Sequence, residues 1–599
     1  MAYHRDEVIN LSSSPSPEAS TSTTSSTTTS VKGSNNGSSG NAGGLGVINS
    51  QQPGLYLLTS LDRAAMERER LVRVSRMNGG GRPKRHREIE SVEATDWPHN
   101  HDDDGKRTSE HVQPDWRDTV KRTRQDHGLA LKYAHGVVKK TAVNGYARNG
   151  DDVTIEEILQ PDVLRHAVLS AFQWNYEWVL RKLSLGKTEL VLVVPAKGTD
   201  ERNMMKEMLS TIPNTRVCMP SMAGMINCMH SKLQLLFFDT YLRVCVPSAN
   251  MTDYDWGEGA GVIENVLYVQ DFPLKPAQHD NNHGPGETKL PPFAEELIYF
   301  LQAQEMFADI IDRLRTQVVW QHVEDVRFVH SIGGEARVPD GINRTGFPGL
   351  ARAIRSLGAN GQVSAQLDYV VSSVGSLTPV MLESIYLAGI GARISTEVVL
   401  KSDPHVFNQA KSRFRLYFPT HDTVGRCKGG FRSAGTICFQ RSYWMKPVFP
   451  GFILRDGRSV RKGCLMHEKI LYVRFDQPFR PGTQKKNYQQ GGSVSDDDDV
   501  DDNESYYSGI AYVGSANMSE SAWGKLVMDS QTKRVKLCLR NWECGVALRV
   551  KRPGGVIAGT ELSVQEIFAE KVPVPMETTG TEYGDKIPWF FAEQIRKYR

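Results

Sequence analysis

Apolar residues in TIEEILQPDVLRHAVLSAFQWNYEWVLRKL (154–183) recur at helical spacing, and TELVLVVPA (188–196) is a continuous apolar run of buried-strand length. The alternation returns further along the chain. FAEELIYFLQAQEMFADIIDRLRTQ (293–317) has the spacing of a helix, and GLARAIRSL (349–357) starts another after a Gly/Pro-rich passage. Helices interleaved with such strands predict layered α/β domains. Regular patterning begins near residue 130. A boundary is expected near 340, giving a first folded half at 129–340 and a second at 341–599.

Outside these halves the pattern disappears. Residues 1–128 form a Ser/Thr-rich and then charged N-terminal region, and 11–45 is too polar to offset chain entropy by burial, so disorder is expected there. The charged stretch 62–128 contains RPKRHREIE (82–90) and RDTVKRTRQD (117–126), which read either as a solvated linker or as a nuclear-import or DNA-contacting segment. Near the start, Val8-Ile9-Asn10-Leu11 resembles motifs that bind small ubiquitin-like modifiers by adding a strand to a sheet edge; chance similarity is the competing account. Two insertions, 275–292 and 478–509, have the Gly, Pro and like-charge content of exposed loops. The acidic run SDDDDVDDNES (495–505) reads as a solubilising loop or as a device that excludes duplex DNA.

A chain of 599 residues exceeds one hydrophobic core, which agrees with two folded units. The formal charge of +3 is close to neutral, so any nucleic-acid partner must be inferred from local basic clusters. Eight cysteines fall singly, with no Cys-X-X-Cys pair and no secretory signal, and read as reduced thiols of an intracellular protein. No apolar stretch approaches the roughly 20 residues that span a bilayer, so no membrane partner is expected. WPHNHDDDGKRTSEH (97–111) is rich in ligand types but lies in the charged linker without cysteine, and no metal or other cofactor is expected.

One feature of the pattern changes the picture. GMINCMHSKLQLLFF (224–238) and GCLMHEKILYVRF (463–475) both place Met-His-X-Lys before an apolar run, with the histidines 237 positions apart. The repeat continues: PSANMTDYDWG (247–257) answers GSANMSESAWG (514–524), with Trp256 and Trp523 each six residues after Asn250 and Asn517. A third element pairs VIENVLYV (262–269) with NWECGVALRV (541–550), matching Glu264 to Glu543. Each piece alone has an ordinary structural explanation. Two ordered copies point to internal duplication.

The chemistry follows from the residue types. On a strand, positions i and i+2 share a face, so His230 projects with Lys232 and His467 with Lys469. Halves related by a pseudo-twofold axis would bring both sets to one cleft. Two ammonium groups and the amides of Asn250 and Asn517 suit a phosphodiester anion and the extra charge of an in-line displacement. One imidazole could attack phosphorus while the other donates to the leaving oxygen. Glu264 and Glu543 are expected to hold the rings' second nitrogens, with Glu258 competing with Glu264 for the first-half position.

Paired His-X-Lys segments resemble the phospholipase D superfamily, and the details resemble its fungal-like tyrosyl-DNA phosphodiesterases of type 1, over roughly 130–599. The superfamily's usual Asp seven residues after the histidine is absent, since Phe237 and Arg474 stand there, as in the tyrosyl-DNA branch. The resemblance implies two similar α-β-α sandwich domains and a metal-independent DNA repair hydrolase of the nucleus, expected as a monomer. It implies attack by His230 on a DNA 3′-phosphate joined to the tyrosine of a stalled topoisomerase I, a phosphohistidine intermediate, and His467 as general acid and base. Ser372 and Ser373 in VVSSVGSL (370–377) are similar to a segment that contacts the DNA strand. Tyr176 lies where the family has an aromatic near the cleft, and Trp589 in IPWFF (587–591) resembles its C-terminal segment, though core packing explains Trp589 equally well. The alternatives are another superfamily nuclease or phospholipase, and a non-catalytic scaffold that binds DNA ends.

Overall fold

The helical spacing of 154–183 resolves into three elements. Helix Ile155–Leu159 carries a Thr154/Glu157 capping box and stops at Gln160, which is left-handed and precedes Pro161. Strand His166–Ser170 follows, and then helix Tyr176–Arg181. The strand was hidden because all five of its residues are buried, and a run buried on both faces lacks the alternation that separates strand from helix. The helix expected at 293–317 is likewise two, Pro292–Ala303 and Ala308–Thr316. Glu305 between them has φ 60°, and the Met306 N–H closes back on the Leu301 carbonyl at 3.1 Å, which ends the first helix in a Schellman turn.

A computed structural model describes residues 131–593, apart from 149, 276–288, 338–340, 362, 395–400, 481–505, 555–559, 579 and 592. The readings of 1–128, including Val8–Leu11 and 97–111, and of the acidic run 495–505 lie outside the described residues. The second insertion is shorter than 478–509, because strands Ile470–Phe479 and Tyr507–Gly514 extend into it from both sides.

Two sheets dominate. The first orders its strands Asp152–Val153, Val137–Thr141, Val266–Pro273, Tyr241–Pro247, Leu233–Phe237, His166–Ser170, Glu189–Val193 and Thr215–Cys218. The second orders Val326–Ser331, Asn541–Lys551, Tyr507–Gly514, Ile470–Phe479, Ala365–Val370, Phe414–Phe418 and Leu454–Asp456. Leaving out 152–153, the seven strands of one sheet match those of the other in order and direction: four antiparallel neighbours, then two parallel ones. Strand Val326–Ser331 already belongs to the second sheet, so the boundary expected near 340 falls inside the second half.

Helices Ile155–Leu159, Tyr176–Arg181 and Gly198–Ser210 cover the outer face of the first sheet, and Gly346–Ser356, Pro379–Gly389 and Pro404–Arg413 that of the second. The inner faces share one core, where Val244 and Tyr268 join Ala511, Val513 and Val546, flanked by helices Pro292–Ala303 and Ala308–Thr316. The expected α/β architecture of two similar halves is present. All eight cysteines are free thiols.

Two short crossings stitch the halves together. Cys228–Met229 of the first half pairs in parallel with Asn541-Trp542 of the second, and Leu465–Met466 of the second pairs with Ile263–Glu264 of the first. Each His-X-Lys segment follows one of these crossings. The six residues lie in the links between strands rather than within strands, with the long strands starting at Leu233 and Ile470.

Candidate active site

The reciprocal crossings decide which side chain meets each imidazole. The His230 N–H donates to the Trp542 carbonyl at 2.9 Å, and the His467 N–H to the Glu264 carbonyl at 3.0 Å. Trp542 and Glu264 are therefore equivalent, and the residue after each points the opposite way, toward the ring. His230 Nδ1 meets Glu543 Oε2 at 2.8 Å, and His467 Nδ1 meets Asn265 Oδ1 at 3.0 Å. Each histidine is thus held by the other half of the chain.

The expected pairing of Glu264 with a histidine is corrected by one residue. Both Glu264 carboxylate oxygens face away from the rings, toward Ser459 and Arg461. Glu258, the competing choice, bonds the Trp178 indole at 2.9 Å and Lys182 at 2.8 Å. The equivalence of Asn265 and Glu543 extends to their neighbours: Ser248 Oγ donates to Asn265 at 2.8 Å and Ser515 Oγ to Glu543 at 2.6 Å.

These partners set the tautomers. A carboxylate only accepts, so His230 Nδ1 carries hydrogen and its Nε2 lone pair is free. The Asn265 NH₂ donates to the Asp255 carbonyl at 2.8 Å, which turns Oδ1 toward His467 and puts hydrogen on that Nδ1 as well. The direct partners differ in charge: His230 bonds an anion and His467 a neutral amide, with the nearest carboxylate to His467 Nδ1 one step farther off at Asp255, 3.7 Å away.

Both rings line one small cleft, together with Asn250, Asn517, Ser372 and Ser373. Asn517 Oδ1 accepts from the Ser372 and Ser373 N–H groups at 3.1 and 2.9 Å, and Asn250 Oδ1 from the Gln173 N–H at 3.2 Å, so the segments after strands Ala365–Val370 and His166–Ser170 play matching parts. Gly375 is required here. A Cβ on it would stand 2.6 Å from Ser519 Cβ, and its N–H bonds the Met518 carbonyl beside Asn517.

Lys232 and Lys469 are fully buried, each ammonium donating to the main-chain carbonyl of its own histidine. Burial lowers the Lys232 pKa against the pull of Glu543 and Asp255, and burial together with Lys232 pushes Lys469 well down. Burial also lowers His230 to about 4, so its ring is neutral at pH 7. Burial alone would raise Glu543, but His230, Lys232 and the Ser515 hydroxyl outweigh it and hold the carboxylate below its ordinary value. Between His467 and Lys469, Glu468 is buried with neither carboxyl oxygen hydrogen-bonded, and burial and Glu264 push it well above the ordinary range.

Two site residues escaped the sequence. Asp255 is fully buried, accepts from the Asn250 N–H and NH₂ at 2.8 and 2.7 Å, and lies 3.7 Å from His467 Nδ1. Its equivalent before Trp523 is Ala522, so repetition could not reveal it. The aromatic at the cleft is Phe172, whose ring centroid is 5.2 Å from that of His230. Tyr176 does not reach the cleft: it stacks on Trp174 at 5.4 Å in the outer core, where burial raises its pKa. Trp589 is also core, stacked on Phe431 at 5.5 Å.

The description "Tyrosyl-DNA phosphodiesterase" belongs to the family model that matches residues 137–584, which contain both half-sites. The chain belongs to the tyrosyl-DNA phosphodiesterase family. Tyrosyl-DNA phosphodiesterase 1 of Arabidopsis thaliana is 22% identical over 432 residues, 69% of this chain, and the chain spans 62% of that relative's length. A crystal structure of the yeast tyrosyl-DNA phosphodiesterase superposes with a TM-score of 0.50 at 16% identity, covering 76% of this chain and 99% of the yeast one. A mutant of the yeast protein gives 0.51 at 15% identity, covering 76% of this chain and 100% of that one. These likenesses establish a shared fold. In this family member the half-sites differ chemically in the direct partner of each histidine, a carboxylate at Glu543 and an amide at Asn265, and in Asp255, which only one half has.

Proposed function

We propose that the protein hydrolyses the phosphodiester between a DNA 3′-phosphate and a tyrosine, as left by a stalled topoisomerase I, through a covalent phosphohistidine. The observation that carries this reading is the meeting of both histidines, each held by the opposite half, in one cleft with two amides. His230 Nε2 attacks phosphorus, the phosphorus–phenol oxygen bond breaks, and His467, which enters as the imidazolium with hydrogen on both nitrogens, gives its Nε2 proton to the phenolate and is left neutral with hydrogen on Nδ1. Water then attacks phosphorus and gives its proton to His467, the phosphorus–nitrogen bond to His230 breaks, and a DNA 3′-phosphate leaves. The Glu543 carboxylate steadies the positive charge that grows on His230 during attack. Lys232, Lys469, Asn250 and Asn517 supply charge and donors to the phosphoryl oxygens.

A cavity of about 420 Å³ adjoins the cleft at Ser373 and Ser519 and is lined by Ser376, Thr378, Tyr443, Lys446, Lys525 and Arg540. Its hydroxyls and cations, beside the Glu520 carboxylate and the rings of Phe439 and Tyr443, suit the backbone of a single strand, and this is the reading for Ser372 and Ser373 too. The nucleus is the compartment we propose for the protein, as the place where such a DNA substrate arises.

The test is substrate choice. A 3′-phosphotyrosyl oligonucleotide is expected to be cleaved to its 3′-phosphate, far faster than plain single strands or phosphatidylcholine vesicles, and at an undiminished rate in excess chelator. Faster lipid turnover, or loss of activity in chelator, would sink the reading.

A second expectation concerns pH. Because His230 is held at about 4, the acid limb of kcat/KM should lie below the ordinary imidazole value near 6.5. For stability, the unfolded chain binds the extra proton between those two values. The His230 contribution is therefore whole above about pH 6.5 and is lost as pH falls toward about 4. An acid limb at 6.5 or above would contradict the neutral, buried ring.

A further inference from the structure

Behind each ring partner stands one anchoring residue, and the two anchors are of different kinds. Behind Glu543 it is Trp542, whose indole N–H donates to the Ser221 carbonyl at 3.1 Å and whose ring faces Phe300 at 6.0 Å. Behind Asn265 it is Glu264, a fully buried carboxylate. Arg461 crosses from the second half to reach it: Nη1 bonds Glu264 Oε2 at 2.9 Å and the Thr141 carbonyl at 3.0 Å, and Nη2 bonds Asp152. Ser459 Oγ donates to Glu264 Oε1 and accepts from the Arg461 N–H at 2.9 Å. Lys140 stands 3.8 Å from Asp152.

Position gives this cluster its meaning. Glu264 immediately precedes Asn265, and Arg461 lies six residues before His467, so the cluster joins the two segments that must meet at the ring. The ladder between them is only two residues long, Leu465–Met466 on Ile263–Glu264. A ladder that short leaves the meeting of the two segments dependent on the groups around it, and catalysis is sensitive to small misplacements.

We propose that Arg461, acting through Glu264, is a positioning residue for His467. The pair holds Asn265 against Nδ1 and thereby sets the direction of Nε2. The inference rests on the role given to His467 above. It predicts a specific kinetic defect: expulsion of a phenolate, whose acid has a pKa near 10, needs little help, whereas activation of water needs an aligned base. Loss of Arg461 should therefore slow release of DNA from the phosphohistidine more than its formation.

The test is rapid-quench single turnover on a 3′-phosphotyrosyl oligonucleotide, with wild type, Arg461→Met, Arg461→Lys, Ser459→Ala and His467→Ala side by side, each checked by thermal melting. For Arg461→Met, adduct formation is expected within about threefold of wild type and decay slowed roughly tenfold to a hundredfold. Arg461→Lys should recover part of the decay rate, and Ser459→Ala should show the same selective defect in weaker form. If Arg461→Met does not fold, the last two decide by the same comparison. Equal slowing of both steps, or no change in a folded variant, overturns the inference and leaves the two-histidine mechanism standing. Absence of any adduct, in wild type and in His467→Ala alike, removes the mechanism and this inference with it.

Discussion

Replacing His230 with Ala is expected to reduce turnover of a 3′-phosphotyrosyl strand by roughly 10⁴-fold or more and to leave no DNA covalently attached to the protein. His467 should not take over: it enters the first step carrying on Nε2 the proton that goes to the phenolate, so that nitrogen has no lone pair for attack. Its direct hydrogen-bond partner is the neutral Asn265 amide, with the Asp255 carboxylate farther off at 3.7 Å. The loss should not be one of binding. Lys232, Lys469, Asn250 and Asn517 remain in place, so the variant should still bind the strand with an affinity close to that of wild type. A gel-shift beside a single-turnover assay separates the two effects. Covalent DNA on His230→Ala would exchange the roles of the two rings.

The second large effect is expected at His467. With Ala there, His230 still attacks, and the phenolate departs without an acid at a reduced rate. Hydrolysis of the intermediate then lacks the base that activates water, a contribution of roughly 10²–10⁴-fold. The slower second step means that adduct accumulates, and DNA should run with the protein on denaturing gels for as long as the intermediate lasts. Asn265 should not replace the lost base, because its amide is spent on Ser248 and the Asp255 carbonyl. Rapid turnover with no adduct would show that another group activates the water.

Duplication made most of this site legible. The histidines, lysines and asparagines stand in the same order in both halves, and Glu543 holds a histidine ring, that of the opposite half. What failed was register. From Trp256 to Asn265 the chain takes nine residues, and from Trp523 to Glu543 twenty, so no spacing showed that Glu264 answers Trp542. In a strand a shift of one residue reverses the face, and the expectation at Glu264 misses by that one residue, the role belonging to the Asn265 amide. Asp255 was invisible for a related reason, since only one half needs it. Tyr176 was misplaced because aromatic composition does not distinguish a core face from a cleft, and Phe172, four residues earlier, is the one beside His230. The matching of seven strands between the sheets is also beyond reach of the sequence, because strands buried on both faces, such as His166–Ser170 and Tyr507–Gly514, leave no period to compare.

The central claim is that the half-sites are reciprocal but unequal, the carboxylate-backed histidine attacking and the amide-backed one moving protons. Its most direct test is to trap the adduct on His467→Ala with a 3′-phosphotyrosyl oligonucleotide, digest under mildly alkaline conditions and locate the phosphate by mass spectrometry. The account predicts an acid-labile phosphoramidate on the peptide that contains His230. Phosphate on any other residue, or an acid-stable linkage, would contradict it.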